Sequence, residues 1–527
     1  MKSVKKRTRS GCRRRKVKCD EVKPACSGCR KSNIKCLWPN NEKQSLSHGE
    51  QFHIERLPQT KRFQFVMYRG DQDKEVPEQP EQPEEPEQVV DPAVVDSLEE
   101  LVPFESVVSP SLDVPLDREY SNAVYSMAPS NALVAWGTSL STDNESPLLF
   151  QAFLEGFLNS VSPQPCHPRL SPQANFVPLA MSNPTMMDIF NACGASFLSR
   201  TDPSMRVEAK RRYSLCLTNF ANSLSKAQEG AEEWMAAAVI LLCLRDKFSG
   251  TSPIVPASHL AKALEMIRQL RKKGKSSVIS LKFLVESFLF NYTVMLLTGT
   301  QEVVQRLPSP FEVYDEWRTI LDCTPFHTAL PFMKYPVFGA ARQVYEIAAK
   351  VSWLYSRLPL SALDKAVACD LLRQTYTTEL PEISSSAKTE LLPSELVHLQ
   401  ESIYLADIIR SCCILLLHKL LFPRLEKNDP SVQEIVGNII NRLYALTAES
   451  PIWIICAWPL LVCGMATSAV SHQHFIYSQC QRCASRFQME FLDQIGKFLV
   501  SVWGTENEPG MGWDCLFNRD IISRVYL

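Results

Sequence analysis

From about residue 120 onward, apolar positions recur every three or four residues, the spacing of one face of an α-helix. In "PLLFQAFLEGFLNSV", Leu149, Phe150, Phe153, Leu154, Phe157 and Leu158 fall on one stripe. "EAKRRYSLCLTNFANSLSKA", "EEWMAAAVILLCLRDKF", "HLAKALEMIRQLRKK", "ELVHLQESIYLADIIRSCCILLLHKLLF" and "SVQEIVGNIINRLYAL" repeat the pattern. Between them stand breakers: "NPT", "TDPS", "SGTSP" and "LPSP". The alternation of strands and helices that builds a parallel sheet is missing. The pattern predicts one large all-helical domain over residues 119–527, without a fixed repeat period.

Two apolar runs are long enough to raise the question of a membrane. Ser450 to Gln481 carries no formal charge, but Trp458-Pro459 interrupts it and helix-like amphipathic segments flank it. "VISLKFLVESFLFNYTVMLL" contains Lys282 and Glu286. Both read as buried core helices, and no membrane partner is expected.

The first 118 residues are different. "RFQFVMY" within 41–70 is strand-like, and no sustained heptad follows it, so no coiled-coil dimeriser is predicted. Residues 71–100 are rich in Pro, Glu and Gln. With too little apolar surface to offset chain entropy, this stretch is expected to be largely disordered. Net charge over the chain is −1, yet residues 1–40 hold fourteen Lys or Arg against two acids. Residues 71–100 hold twelve acids against Lys74. A basic arm of this density seeks a polyanion. "MKSVKKRTRS" has no apolar stretch behind its charges, so it does not read as a signal peptide. Eighteen cysteines without one argue for a reducing compartment, with thiols free or on metal.

Five of those cysteines, Cys12, Cys19, Cys26, Cys29 and Cys36, stand at gaps of six, six, two and six residues. Closely spaced thiolates suit tetrahedral zinc. Between the first two lies "RRRKVK", five positive charges in six residues. On a short helix such a run suits a DNA major groove, where Arg and Lys pair with guanine O6 and N7. Nuclear import or nonspecific phosphate binding would use the same residues.

"GCRRRKVKCDEVKPACSGCRKSNIKCLWP" resembles the Zn2Cys6 binuclear-cluster domain of fungal transcription factors. The commonest form of that family has six cysteines holding two zinc ions, two of the thiolates bridging. Its helix after the second cysteine reads a CGG triplet through two adjacent basic residues. By the cysteine spacing these fall on Arg15 and Lys16; Arg13, Arg14 and Lys18 would touch phosphates, which position without specifying. The resemblance implies zinc as cofactor, two ions or fewer with five thiolates. The departure is one cysteine. Counting back from Cys19, Cys12 takes the second place and Arg9 stands where the first belongs. Alternatively three residues of the usual "SGCxxCRRRK" are lost and Cys12 merges the first two ligands; the flanking "TRSGC" fits this better.

The helical region resembles the fungal-specific regulatory domain that follows many such clusters, most clearly at "WPLLVCGMA", 458–466. Catalytic motifs fail. There is no G-x-S-x-G, Gln269 stands where a P-loop ending in Gly274-Lys275-Ser276 needs glycine, and the S-x-x-K match at 223–226 lies in a helical pattern. His472, His474, Cys480 and Cys483 could form a second zinc site, but Cys480 and Cys483 read better as neighbours on a packed helix. Cys412, Cys413, Cys456 and Cys463 read as core. The expectation is a mainly α protein with three parts. Residues 1–40 form a zinc-cluster DNA-binding domain, 41–118 a linker, and 119–527 a helical regulatory domain. It is a nuclear transcriptional regulator and not an enzyme, and the resemblance leaves open a role specific to one metabolic pathway. Its partners are double-stranded DNA, transcription machinery or co-regulators, with a homodimer open. The competing reading is a scaffold with a degenerate cluster that no longer binds DNA.

Overall fold

A computed structural model describes residues 51–56, 63–68 and 146–525, with short breaks at 161–162, 228–229, 249–253, 326–327, 329 and 505–511. The chain divides into two units, residues 1–51 with 67–71, and residues 52–66 with 72–527. Strands β1 (Gln51–Arg56) and β2 (Phe63–Tyr68) pair as a two-stranded sheet, β2 falling on the strand-like "RFQFVMY".

All described helices belong to the second unit. They are α1 (Ser146–Ala152), α2 (Pro172–Ser182), α3 (Pro184–Leu198), α4 (Met205–Lys226), α5 (Glu233–Phe248) and α6 (Ile254–Lys273). Then come α7 (Val278–Thr298), α8 (Gln301–Arg306), α9 (Pro310–Asp322), α10 (Arg342–Tyr355), α11 (Ala362–Thr377) and α12 (Ser385–Glu390). The last are α13 (Pro393–Leu421), α14 (Pro430–Tyr444), α15 (Ala457–Ala466), α16 (Val470–Phe487), α17 (Glu490–Gly504) and α18 (Arg519–Val525).

Two helices organise the body. α7 is apolar almost all round, so it can only be stable with neighbours on every side. It has them in α5, α6, α9, α10 and α18. α13 is the second hub, packed by α10, α11, α14 and α15. α10 touches both hubs. α7 is long and apolar enough to cross a bilayer, but most of it is buried in protein and it carries fully buried Lys282 and Glu286. The uncharged stretch from Ser450 is broken into a 3-10 turn (Pro451–Ile455), α15 and α16.

Local chemistry sets the boundaries. The Ser277 hydroxyl accepts from the Ser280 amide at 3.0 Å and starts α7, while Ser361 and Asp364 form a capping box at α11. The stripe at 146–158 predicts one regular helix. Instead α1 widens into a π turn over Phe153–Phe157 and a 3-10 turn over Leu158–Ser160. α3 lies so close that a Cβ on Gly194 would stand 1.9 Å from the Leu149 carbonyl oxygen. The rings of Phe150 and Phe153 stack against Phe190, the second at 4.1 Å, and Phe157 stacks on Phe153. Tertiary ring packing overrides the regular helix here. At the other end of the chain, buried Arg519 of α18 donates to the carbonyls of Leu296 and Ser352, with its guanidinium over the Tyr355 ring at 4.4 Å. A cation at the carbonyl end of α7 complements the helix dipole and anchors the C-terminal helix.

Candidate functional site

The zinc and DNA residues expected from the sequence (Cys12, Cys19, Cys26, Cys29, Cys36, Arg13, Arg14, Arg15, Lys16 and Lys18) lie outside the described residues. Their fit to zinc rests on donor chemistry. Five soft thiolates match zinc, and they are one fewer than a closed six-thiolate cluster uses.

The other residues singled out in the sequence can be placed. Among the described residues no group of His, Cys, Asp and Glu could hold a metal ion. Cys480 and Cys483 are buried on α16 within the main core, and Cys412, Cys413, Cys456 and Cys463 are buried there too. The described cysteines are free thiols. The S-x-x-K match lies in α4, where the Ser223 hydroxyl shares a 3.0 Å hydrogen bond with Thr185. In "KKGKSS", Lys272 and Lys273 end α6 and residues 274–277 form the turn into α7, with Gly274 at φ +62°.

Two polar clusters break the apolar interior. The first is sealed. Asp246 of α5 is fully buried and accepts from the Arg245 guanidinium at 2.8 Å and from the Tyr213 hydroxyl of α4 at 2.8 Å. His259 Nε2 of α6 stands 3.0 Å from the same carboxylate. Arg245 also donates to the Ser196 hydroxyl of α3 and lies over the Tyr213 ring at 3.6 Å. Burial pushes the Asp246 carboxyl up, but the His259 hydrogen bond and the charges of His259 and Arg245 outweigh it and hold it below its ordinary value.

The second cluster opens onto a cleft of about 580 Å³ lined by α9, α10 and the end of α11. Its base is Glu346. Arg342 donates to Oε2 at 2.8 Å; Lys350 and Arg318 donate to Oε1 at 2.7 and 3.1 Å. Burial raises the Glu346 carboxyl, but Lys350 and Arg342 dominate and bring it down to about 2. Asp322 stands 3.8 Å from Arg342 and accepts from the Tyr335 hydroxyl at 3.1 Å. Gln374, Thr377, Thr378 and Glu379 complete the lining.

Behind this cleft the loop 335–341 is pinned to the hubs. Glu286 of α7 accepts from the amides of Val337 and Phe338, both at 2.8 Å. Burial raises its carboxyl to about 7, against the charge of Lys282 and the two amide donors. The Ser402 hydroxyl of α13 accepts from the Ala340 amide and donates to Gln164. Gly339 sits at φ +54°, and a Cβ there would stand 2.4 Å from the Gln164 oxygen, so this turn requires glycine.

The sequence reading did not find the cleft. One signal was available: Arg342, Glu346 and Lys350 are spaced i, i+4, i+8, a charged stripe on a helix whose Val344, Ile347 and Val351 face the core. Arg318 comes from α9 and Glu379 from the segment just after α11, and only tertiary packing brings them to it.

Comparison with known families gives two matches. The model of the fungal specific transcription factor domain matches residues 148–523, and that of the fungal Zn(2)-Cys(6) binuclear cluster domain matches residues 10–45. The latter implies two zinc ions, DNA binding and transcriptional regulation. No curated protein and no solved structure matches the chain.

Proposed function

Because the chain belongs to the fungal specific transcription factor family and carries the zinc-cluster unit, we propose that it is a nuclear, sequence-specific transcriptional regulator. Residues 1–40 are its DNA reader, 41–118 the linker and 119–527 the regulatory domain. Cys12, Cys19, Cys26, Cys29 and Cys36 hold the zinc. The ions would cross-link a segment too short to build its own core, so metal binding is folding free energy for it. Arg15 and Lys16 read a CGG-type triplet in the major groove; Arg13, Arg14 and Lys18 neutralise phosphates.

The observation that carries this reading is the thiolate spacing wrapped around "RRRKVK". The missing sixth thiolate favours a second reading, a regulator acting through its helical body without DNA. Zinc content of the purified chain, measured beside its binding to CGG-containing and scrambled duplexes, separates the two. The regulator reading expects about two zincs per chain and a CGG preference. Arg15→Ala relaxes that preference by about 1–3 kcal/mol, whereas Arg13→Ala weakens all sequences alike and lowers the salt slope by about 0.9. One zinc or none, with only salt-sensitive unspecific binding, supports the second reading. In that case insertion of Ala-Ala-Cys after Cys12 should restore both properties if a lost ligand is the cause.

A further inference from the structure

The two sides of the cleft over α10 differ in sign. On α9 and α10, Arg318, Arg342 and Lys350 converge on the one carboxylate of Glu346. Both its oxygens are already engaged, and cationic donors remain. The Nε–H of Arg342 is buried without an acceptor, and about half of the Arg318 side chain is exposed. The remaining side is the C-terminal turn of α11. The last carbonyls of a helix carry a partial negative charge, here partly met by Arg410, which donates to the Thr378 carbonyl at 3.1 Å. The exposed carboxylate of Glu379 follows directly after that turn.

Small-molecule pockets of roughly 300–1,000 Å³ are usually lined by apolar side chains. This one has the volume without the apolar lining. Of its residues only Tyr335 offers a ring, and the rest are Arg, Lys, Asp, Glu, Gln and Thr. An apolar effector would leave these groups desolvated and unpaired, at a cost. A simple anion would meet Glu379, Asp322 and the carbonyl end of α11; a simple cation would meet the three basic groups. A molecule carrying both signs at its two ends satisfies both sides.

We propose that the cleft is an effector site for a small zwitterion of the α-amino acid type. The carboxylate faces Arg318 and Lys350; the ammonium faces Glu379 and the end of α11. This deepens the regulator reading, on which it rests, by naming the class of signal. Such a ligand ties α9 and α10 to α11, and α11 packs directly on the hub α13.

The test is thermal unfolding and titration calorimetry of the full-length, zinc-loaded chain with each standard amino acid. Succinate, putrescine and inorganic phosphate serve as single-sign controls. At least one amino acid should raise the melting temperature with dose and give a saturable heat, and the controls should give neither. Arg318→Gln and Glu379→Gln, both at exposed positions, should each weaken that binding by about tenfold, the loss of one charge-assisted contact. The proposal is overturned if no amino acid binds, if succinate or phosphate binds as well, or if both variants retain full affinity. DNA binding of the same samples, measured without amino acid, reports on the regulator reading separately. Failure there with intact amino acid binding would leave the site and remove its role in transcription.

Discussion

At Asp246 an arginine, a histidine and a tyrosine drawn from three helices close around one buried carboxylate; at Glu346 two arginines and a lysine close around another. The difference lies in what covers them. Asp246 has no exposure, and α3, α4, α5 and α6 all contribute to its shell. Glu346 is nearly as well buried, but one of its three cations, Arg318, reaches it from an exposed position on α9. A sealed ionic cluster can fix how helices meet, and nothing else can reach it. An open one keeps charged donors within reach of a solute. Burial of the partners, more than burial of the carboxylate, separates a structural cluster from a candidate binding site.

The strongest way to break this contrast is Asp246→Asn. It leaves Arg245 buried beside a neutral amide, and removing one partner of a buried ion pair costs about 3–5 kcal/mol. Chemical denaturation should show that loss with amino acid binding intact in the fraction that folds. A loss below about 1 kcal/mol would mean that the cluster is not what holds α4, α5 and α6 together. Glu346→Gln should cost less, about 2 kcal/mol, because Arg318 can turn to water while Arg342 keeps Asp322 nearby. It should also make the cleft more cationic, so that succinate binds where it did not before. Equal costs for the two variants would erase the distinction between sealed and open.

The sequence showed these regions unequally. Helical periodicity made the mainly α body readable, and it placed Lys282 and Glu286 inside a core helix. The spacing of five cysteines pointed to the zinc chemistry because a metal site is written in a short local stretch. Neither polar cluster was readable as a whole, although the stripe of Arg342, Glu346 and Lys350 marked part of one. Asp246 and His259 lie thirteen residues apart on separate helices, and Arg318 and Glu379 are sixty-one apart. Such contacts depend on how helices pack, which periodicity does not encode. The π turn at Phe153–Phe157 escaped for the same reason: Phe190 and Gly194 of α3 decide it.

Glu286 tests whether burial of an acid without full pairing leaves a trace in stability. Its Oε1 accepts two amides, but Oε2 is buried with no partner, unlike either oxygen of Glu346. Its folded carboxyl is raised to about 7, above the ordinary 4.5. Between those values the native state holds a proton that the unfolded chain has released. The stabilising contribution is therefore complete below about pH 4.5, falls as pH rises, and is gone above about pH 7, with a slope of at most about 1.4 kcal/mol per pH unit. His167 and His418, both lowered by burial, tilt the curve the opposite way across part of this window. They do so equally in a Glu286→Gln variant, so the difference between the two chains isolates the carboxyl. Denaturation midpoints at pH 5, 6, 7 and 8 should show the variant gaining on the native chain from pH 5 to 7 and then holding level. Parallel curves would mean that Glu286 is ionised throughout, with Lys282 and the amides of Val337 and Phe338 compensating it as fully as three cations compensate Glu346.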